Sequence, residues 1–223
     1  RYAAAFKPNA AFFEVFGAEG WVALKQVIEA INEESDRLGS RIPIILDAKR
    51  GDISSTAEAY AQSAFEFLGA DCITLSPYLG KDAIEPFLNH KQKGVFLLCK
   101  TSNKGSGDLQ DVVLANGDPM YIHVAKLAAT WNDKNNIGLV VGATHIEAMK
   151  QVRAAVPDLW FLAPGVGAQG GELEMTLRSG LREDGKGLLL PISRAISRAD
   201  NPGKAAAEIR DEILNIKREL KKN

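Results

Sequence analysis

Short apolar runs alternate with longer amphipathic stretches along the whole chain, and that alternation constrains the fold more than any other feature. The apolar runs are residues 2–7, 42–47, 71–75, 94–100, 137–141, 159–163 and 187–191. Each has the length of a buried strand, about four to eight residues. Helical spacing fills the gaps. In residues 18–38, Trp21, Leu24, Ile28 and Ile31 mark one face. In residues 54–69 the marks are Ala57, Tyr60, Ala61, Ala64, Phe65 and Leu68, with Gly69 as the stop. Asp200-Asn201-Pro202 opens the last helix, whose stripe runs from Ala206 through Ile209, Ile213 and Ile216 to Leu220.

Consecutive strands joined through helices must pair in parallel, so the fold class is α/β. Two architectures compete, an open doubly wound sheet and a closed (β/α)8 TIM barrel. Polar groups recur at the strand ends: Lys7, Asp47 and Lys49, Ser76, Thr101 and Ser102, Thr144, and Arg194. A barrel gathers its active site from the C-terminal ends of many strands, whereas an open sheet concentrates it at one switch point. The barrel is therefore expected, as a single domain over residues 1–223. Seven units fall one short of eight, and a strand with its helix takes about 30 residues. The expectation is that the first strand–helix unit is missing from this chain. Residues 101–118, rich in Gly, Ser and Asp, read as one long loop, a lid or a mobile segment.

A net charge of −1 gives no reason to expect nucleic acid or an anionic membrane as partner, yet allows a local basic pocket for a small anion. No stretch approaches the roughly 18 apolar residues of a membrane helix. Cys72 and Cys99 fall inside strand runs, which suggests free thiols, a reducing compartment and a cytoplasmic protein. The chain starts at Arg1, so a processed or omitted N-terminus stays open.

The run Ile42–Leu46 ends in Asp47-Ala48-Lys49-Arg50-Gly51-Asp52. Strand side chains alternate, which puts Asp47 and Lys49 on one side. Gly51 permits a turn that would bring Asp52 back toward them. A lysine between two carboxylates stays a cation, suited to stabilising a developing anion and donating a proton. It does not suit amine attack. The bland alternative is a solvated charged loop, against which the buried run and the recurring polar strand ends both weigh. Pro164-Gly165-Val166-Gly167-Ala168-Gln169-Gly170-Gly171 is either a plain turn or an anion-binding nest of backbone N–H groups. Arg194 follows the next strand, and barrel phosphate sites are built after strands seven and eight. A phosphorylated substrate follows. Thr101-Ser102-Asn103-Lys104-Gly105-Ser106-Gly107 is a flexible loop or a lid carrying a hydroxyl for a polar ring. His90, His123 and His145 lie in or beside helices and read as structural. Zinc, Walker and dinucleotide patterns are absent, and no cofactor or metal is expected.

Three stretches together closely resemble the orotidine 5′-monophosphate decarboxylase family: Asp47–Ile53, the PGVGAQGG loop, and Ser193-Arg194 followed by Ala199-Asp200-Asn201-Pro202. The resemblance runs from Phe6-Lys7-Pro8-Asn9 to the last helix. It implies cofactor-free decarboxylation of orotidine 5′-monophosphate to UMP, the last step of pyrimidine biosynthesis. Lys49 would be the catalytic acid, flanked by Asp47 and Asp52. Lys7 would contact the ribose side and Ser102 the pyrimidine. Gln169 and Arg194 would hold the phosphate, within loops that also carry Pro164 and Ser193. The resemblance further implies a homodimer in which Asp52, Ile53 and Thr56 reach the partner's site. In many eukaryotes the domain is fused to an orotate phosphoribosyltransferase. Ser193 stands where many relatives have glycine, and the family's first-strand aspartate has no counterpart after Arg1. A sugar-phosphate decarboxylase or aldolase-type synthase using Mg²⁺, or a phosphate-binding barrel without catalysis, stays open at this point.

Overall fold

The computed structural model describes residues 2–166 and 171–220, which divide into two compact units. One comprises Ala3–Leu97 with Asp133–Ile137, and the other Leu98–Asn132 with the chain from Gly138 onward.

The first unit opens with α1 (Ala11–Glu14) and α2 (Gly17–Leu38), then β1 (Ile45–Arg50), α3 (Ser54–Gln62), β2 (Cys72–Leu75), α4 (Glu85–Leu88) and the start of β3 (Gly94–Lys100). Strands β1, β2 and β3 pair in parallel, in sequence order. Helix α2 buries Leu24 and Ile28 completely, on the face read from their spacing. With Ile44, Ile73, Phe87 and Leu97 they form this unit's core, each side chain contributing about 1.5–3 kcal/mol by leaving water.

Three expectations need correction here. Residues 2–7 form no regular strand; Phe6 and Asn9 make isolated parallel bridges to Ile44 and Asp47. Pro8 has no N–H to extend that ladder, though its carbonyl accepts from Asp47 N at 2.9 Å. The second strand runs over Ile45–Arg50 rather than 42–47, so the charged residues lie within it. The helix over 54–69 ends as α at Gln62 and continues as a π-helical turn over Ser63–Phe67. Gly69, at φ 80°, then turns the chain as expected.

The second unit contains α5 (Gly107–Gln110), α6 (Met120–Trp131), β4 (Ile137–Val141), α7 (Ile146–Ala155), β5 (Trp160–Leu162), α8 (Gly171–Gly180), β6 (Leu188–Leu189), α9 (Arg194–Ser197) and α10 (Pro202–Leu220). Strands β4, β5 and β6 again pair in parallel, in sequence order. Leu139, Met149, Phe161 and Leu173 are fully buried between strands and helices. Asn201 caps α10, its side chain accepting from Lys204 N at 2.9 Å. Residues 101–118 are more ordered than their composition suggests. They hold a 3₁₀ turn at Lys104–Ser106, helix α5, and an antiparallel bridge from Val113 to Pro119.

The fold is thus α/β with six parallel strands; Asp47 and Lys49 lie within β1, while Ser76, Thr101 and Ser102, Thr144 and Arg194 come after strands β2, β3, β4 and β6. Among the described residues no helix is long and apolar enough to cross a membrane.

Candidate active site

In the first unit, one buried carboxylate lies between two lysines. Asp47 accepts Lys7 Nζ on Oδ2 and Lys49 Nζ on Oδ1, each at 2.5 Å. The Asp47 side chain is 11% exposed and that of Lys49 51%, so the acid is sealed while the ammonium reaches outward. Burial pushes the Asp47 carboxyl up, but hydrogen bonds and charge from Lys49 and Lys7 outweigh it and hold the group below its ordinary value. Asp47 is therefore an anion at neutral pH.

The backbone reaches this geometry through a bulge rather than regular alternation. While β1 advances from Leu46 to Arg50, β2 advances only from Ile73 to Leu75. Lys49 sits in the bulge at φ 48°, a left-handed conformation that non-glycine residues seldom adopt. Thr74 of β2 spans the bulge, accepting from Ala48 N at 3.1 Å and Lys49 N at 2.9 Å and donating to Asp47 Oδ1 at 3.1 Å. Arg50 pairs with Glu14 and lies over the Tyr60 ring, 5.0 Å from its centroid.

The expected return of Asp52 toward Lys49 does not occur. Asp52 Oδ1 accepts from Ile53 N at 2.8 Å, and among the described residues Asp52 makes no ion pair. Gly51 has no positive φ and makes no left-handed turn. A Cβ there would lie 3.1 Å from the Ser76 carbonyl oxygen, a tight contact. Ile53 is 52% exposed, and Thr56 is exposed in the first turn of α3.

In the second unit, the loops after β3, β4 and β5 close around Ser102. A Cβ on Gly142 would sit 2.9 Å from Ser102 N and 3.0 Å from its Cα, so only glycine admits this approach. Gly142 N donates to the Lys100 carbonyl at 2.6 Å, and Ala143 N to the Pro164 carbonyl at 2.9 Å. Ser102 is exposed and its hydroxyl is spare among the described residues. Its loop is pinned from behind. Gln110 accepts from Thr101 N at 2.9 Å and donates to Thr101 Oγ1 at 2.8 Å, while buried Lys100 reaches Asp111 at 2.6 Å. Arg194, the first residue of α9, is exposed after Ser193 and makes no ion pair among the described residues. Gln169 lies outside the described residues. The three histidines flank or enter helices, and among the described residues no cluster of His, Cys, Asp and Glu converges as a metal site.

Sequence reasoning missed Thr74, Gln110 and Lys100. Only Thr74 left a signal, as a hydroxyl inside the apolar run Cys72–Leu75.

In a parallel α/β fold, charged and polar groups gathered towards the C-terminal ends of strands mark where an active site is sought. Residues 1–209 match the profile of the orotidine 5′-phosphate decarboxylase / HUMPS family, and the chain belongs to that family. The orotidine 5′-phosphate decarboxylase of Roseiflexus castenholzii is 56% identical over 214 residues, covering 96% of this chain and 76% of that protein. Among solved structures, Leishmania donovani OMP decarboxylase is 52% identical with a TM-score of 0.89, covering 97% of this chain and 82% of the other. The Leishmania donovani UMP synthase is 53% identical with a TM-score of 0.89, and the match spans 97% of this chain and 47% of that one.

Proposed function

We propose that this chain converts orotidine 5′-monophosphate to UMP and CO₂, with Lys49 protonating the C6 carbanion. The observation that carries the reading is the Lys7–Asp47–Lys49 centre, found in a chain whose relatives are named orotidine 5′-phosphate decarboxylase. Loss of CO₂ from C6 leaves an electron pair in the plane of the pyrimidine, where the ring π-system does not delocalise it well. Fixed charge is then the main source of stabilisation. Lys49 supplies that charge and afterwards the proton, so the step needs no cofactor. Asp47 holds the ammonium in place, and its own charge repels a departing carboxylate.

The remaining roles follow the family resemblance. Lys7 contacts the ribose, Ser102 bonds the pyrimidine, and Arg194 pairs with the phosphate alongside Gln169, Pro164 and Ser193. A free guanidinium suits a phosphate dianion, which it binds through two charge-assisted hydrogen bonds. Phosphate binding energy is spent on aligning the ring for reaction. We assign the whole chain to one (β/α)8 barrel domain, working as a cytoplasmic homodimer in which Asp52, Ile53 and Thr56 serve the partner's site. An Asp52 that makes no ion pair among the described residues and an Ile53 open to solvent support that assembly. Mixing inactive Lys49→Ala and Asp52→Ala subunits should restore one intact site per heterodimer; no recovery after confirmed subunit exchange refutes the shared site.

Incubating the purified chain with orotidine 5′-monophosphate tests the activity directly. UMP and CO₂ should appear in equal amounts. Intact substrate after prolonged incubation with folded protein overturns the reading.

A further inference from the structure

Thr74 is 1% exposed in the middle of β2. A hydroxyl has one proton to give and two lone pairs to share. Thr74 commits all three to consecutive residues of the neighbouring bulge: the N–H groups of Ala48 and Lys49 and the carboxylate of Asp47. The carboxylate oxygen it reaches, Oδ1, is the one that also receives Lys49 Nζ. One side chain therefore fixes the backbone of Lys49, satisfies two N–H groups, and orients the anion that holds the lysine's ammonium. Lys49 keeps its left-handed φ of 48° inside this frame. Strain of that kind, about 1–3 kcal/mol, persists only where surrounding bonds over-determine the conformation.

We propose that Thr74 is a positioning residue for the decarboxylation, its hydroxyl locking the 47–49 bulge so that the Lys49 ammonium stands where the C6 proton is delivered. The inference rests on the reading of Lys49 as the proton donor. A residue that serves only packing is replaced harmlessly by valine, which has the shape of threonine without its hydrogen bonds. A positioning residue is not.

The test compares Thr74→Val, Thr74→Ser and the control Lys49→Ala, each checked for folding by thermal unfolding. Displacing a catalytic group by about 1 Å costs on the order of 10²-fold in rate. Thr74→Val should therefore lose about 10²-fold in kcat while its UMP affinity stays within about threefold, and Thr74→Ser should recover to within about fivefold of the parent. Thr74→Val with near-parental kcat, or Thr74→Ser as impaired as Thr74→Val, overturns the positioning role. If Thr74→Val does not fold, Thr74→Ala against Thr74→Ser decides by the same contrast, and failure of both to fold makes the hydroxyl a folding determinant instead. A Lys49→Ala protein that turns over normally sinks the underlying mechanism, a result distinct from any outcome at Thr74.

Discussion

A half-buried arginine and a half-exposed lysine in this protein use similar chemistry to opposite ends. In the second unit, the Arg153 guanidinium of α7 hydrogen-bonds, among the described residues, only to backbone carbonyls. It donates to Gly180 at 2.6 Å, Leu159 at 2.7 Å, Pro157 at 3.0 Å and Gly187 at 3.1 Å, and lies 3.7 Å from the Phe161 ring centroid. Leu159 and Gly187 immediately precede β5 and β6, so the arginine ties together the entrances of two strands. Burial lowers its guanidinium to about 10, still protonated at neutral pH. In the first unit, Lys49 stands near the other end of its strand, on the carboxylate of Asp47 and half open. Arg153 spends its donors on the fold; Lys49 keeps donors in reserve. A spent cation stabilises, and a spare one is available to a ligand.

The largest stability effect should come from breaking the spent centre. Arg153→Met leaves several carbonyls without a partner and should cost about 3–5 kcal/mol, the range for removing one member of a buried polar network. In a domain of this size that lowers the melting temperature by roughly 10 °C. Calorimetry checks the shift, and turnover per folded molecule at low temperature should stay near the parent's. A stable but inactive Arg153→Met protein would dissolve the distinction between the two centres.

Arg194 sharpens the comparison, because it too is an arginine of the second unit but, unlike Arg153, is exposed and makes no side-chain hydrogen bond or ion pair among the described residues. Arg194→Ala should leave the melting temperature nearly unchanged and weaken UMP binding by about 2–4 kcal/mol, the cost of losing a charge-assisted phosphate contact. Titration calorimetry with UMP and with uridine separates the two contributions; uridine affinity should barely move.

The smallest effect concerns acid. The Asp47 carboxyl is held below its ordinary value in the folded protein, so its contribution to stability is present above about pH 4 and disappears as pH falls through the folded value. Asp47→Asn lacks that contribution at every pH. The stability gap between parent and variant, followed by urea unfolding, should therefore narrow on acidification below about pH 4 and be constant from pH 6 to 8.

Much of this was legible in the sequence, and the reasons for what was not are specific. Periodicity located α2, α3 and α10 because each carries an apolar stripe at helical spacing, buried at Leu24 and Ile28 in α2, at Ala57 and Ala61 in α3 and at Ile209 in α10. It placed Asp47 and Lys49 together, but for an incomplete reason. The pairing depends on a bulge set by Thr74, a residue on another strand that no local pattern connects to Lys49. The lysine expected between two carboxylates proved to be a carboxylate between two lysines, since Lys7 approaches from a segment 40 residues earlier. Arg153 left no signal at all: its partners are carbonyls, which every residue carries, so side-chain identity says nothing of them. The Gly- and Ser-rich stretch 101–118 misled by composition, because Gln110 and Asp111 anchor it through bonds that only the folded chain reveals.

We propose that Lys49 carries the decarboxylation, and the rate of UMP formation by Lys49→Ala decides it. With the parent and the variant at equal folded concentration, kcat should fall at least ~10³-fold, the combined effect of removing an electrostatic stabiliser and a proton donor. The melting temperature should stay within about 3 °C of the parent's, because Lys49 is half exposed and replaceable in the fold. A Lys49→Ala protein that forms UMP within tenfold of the parent's rate would remove Lys49 from the chemistry.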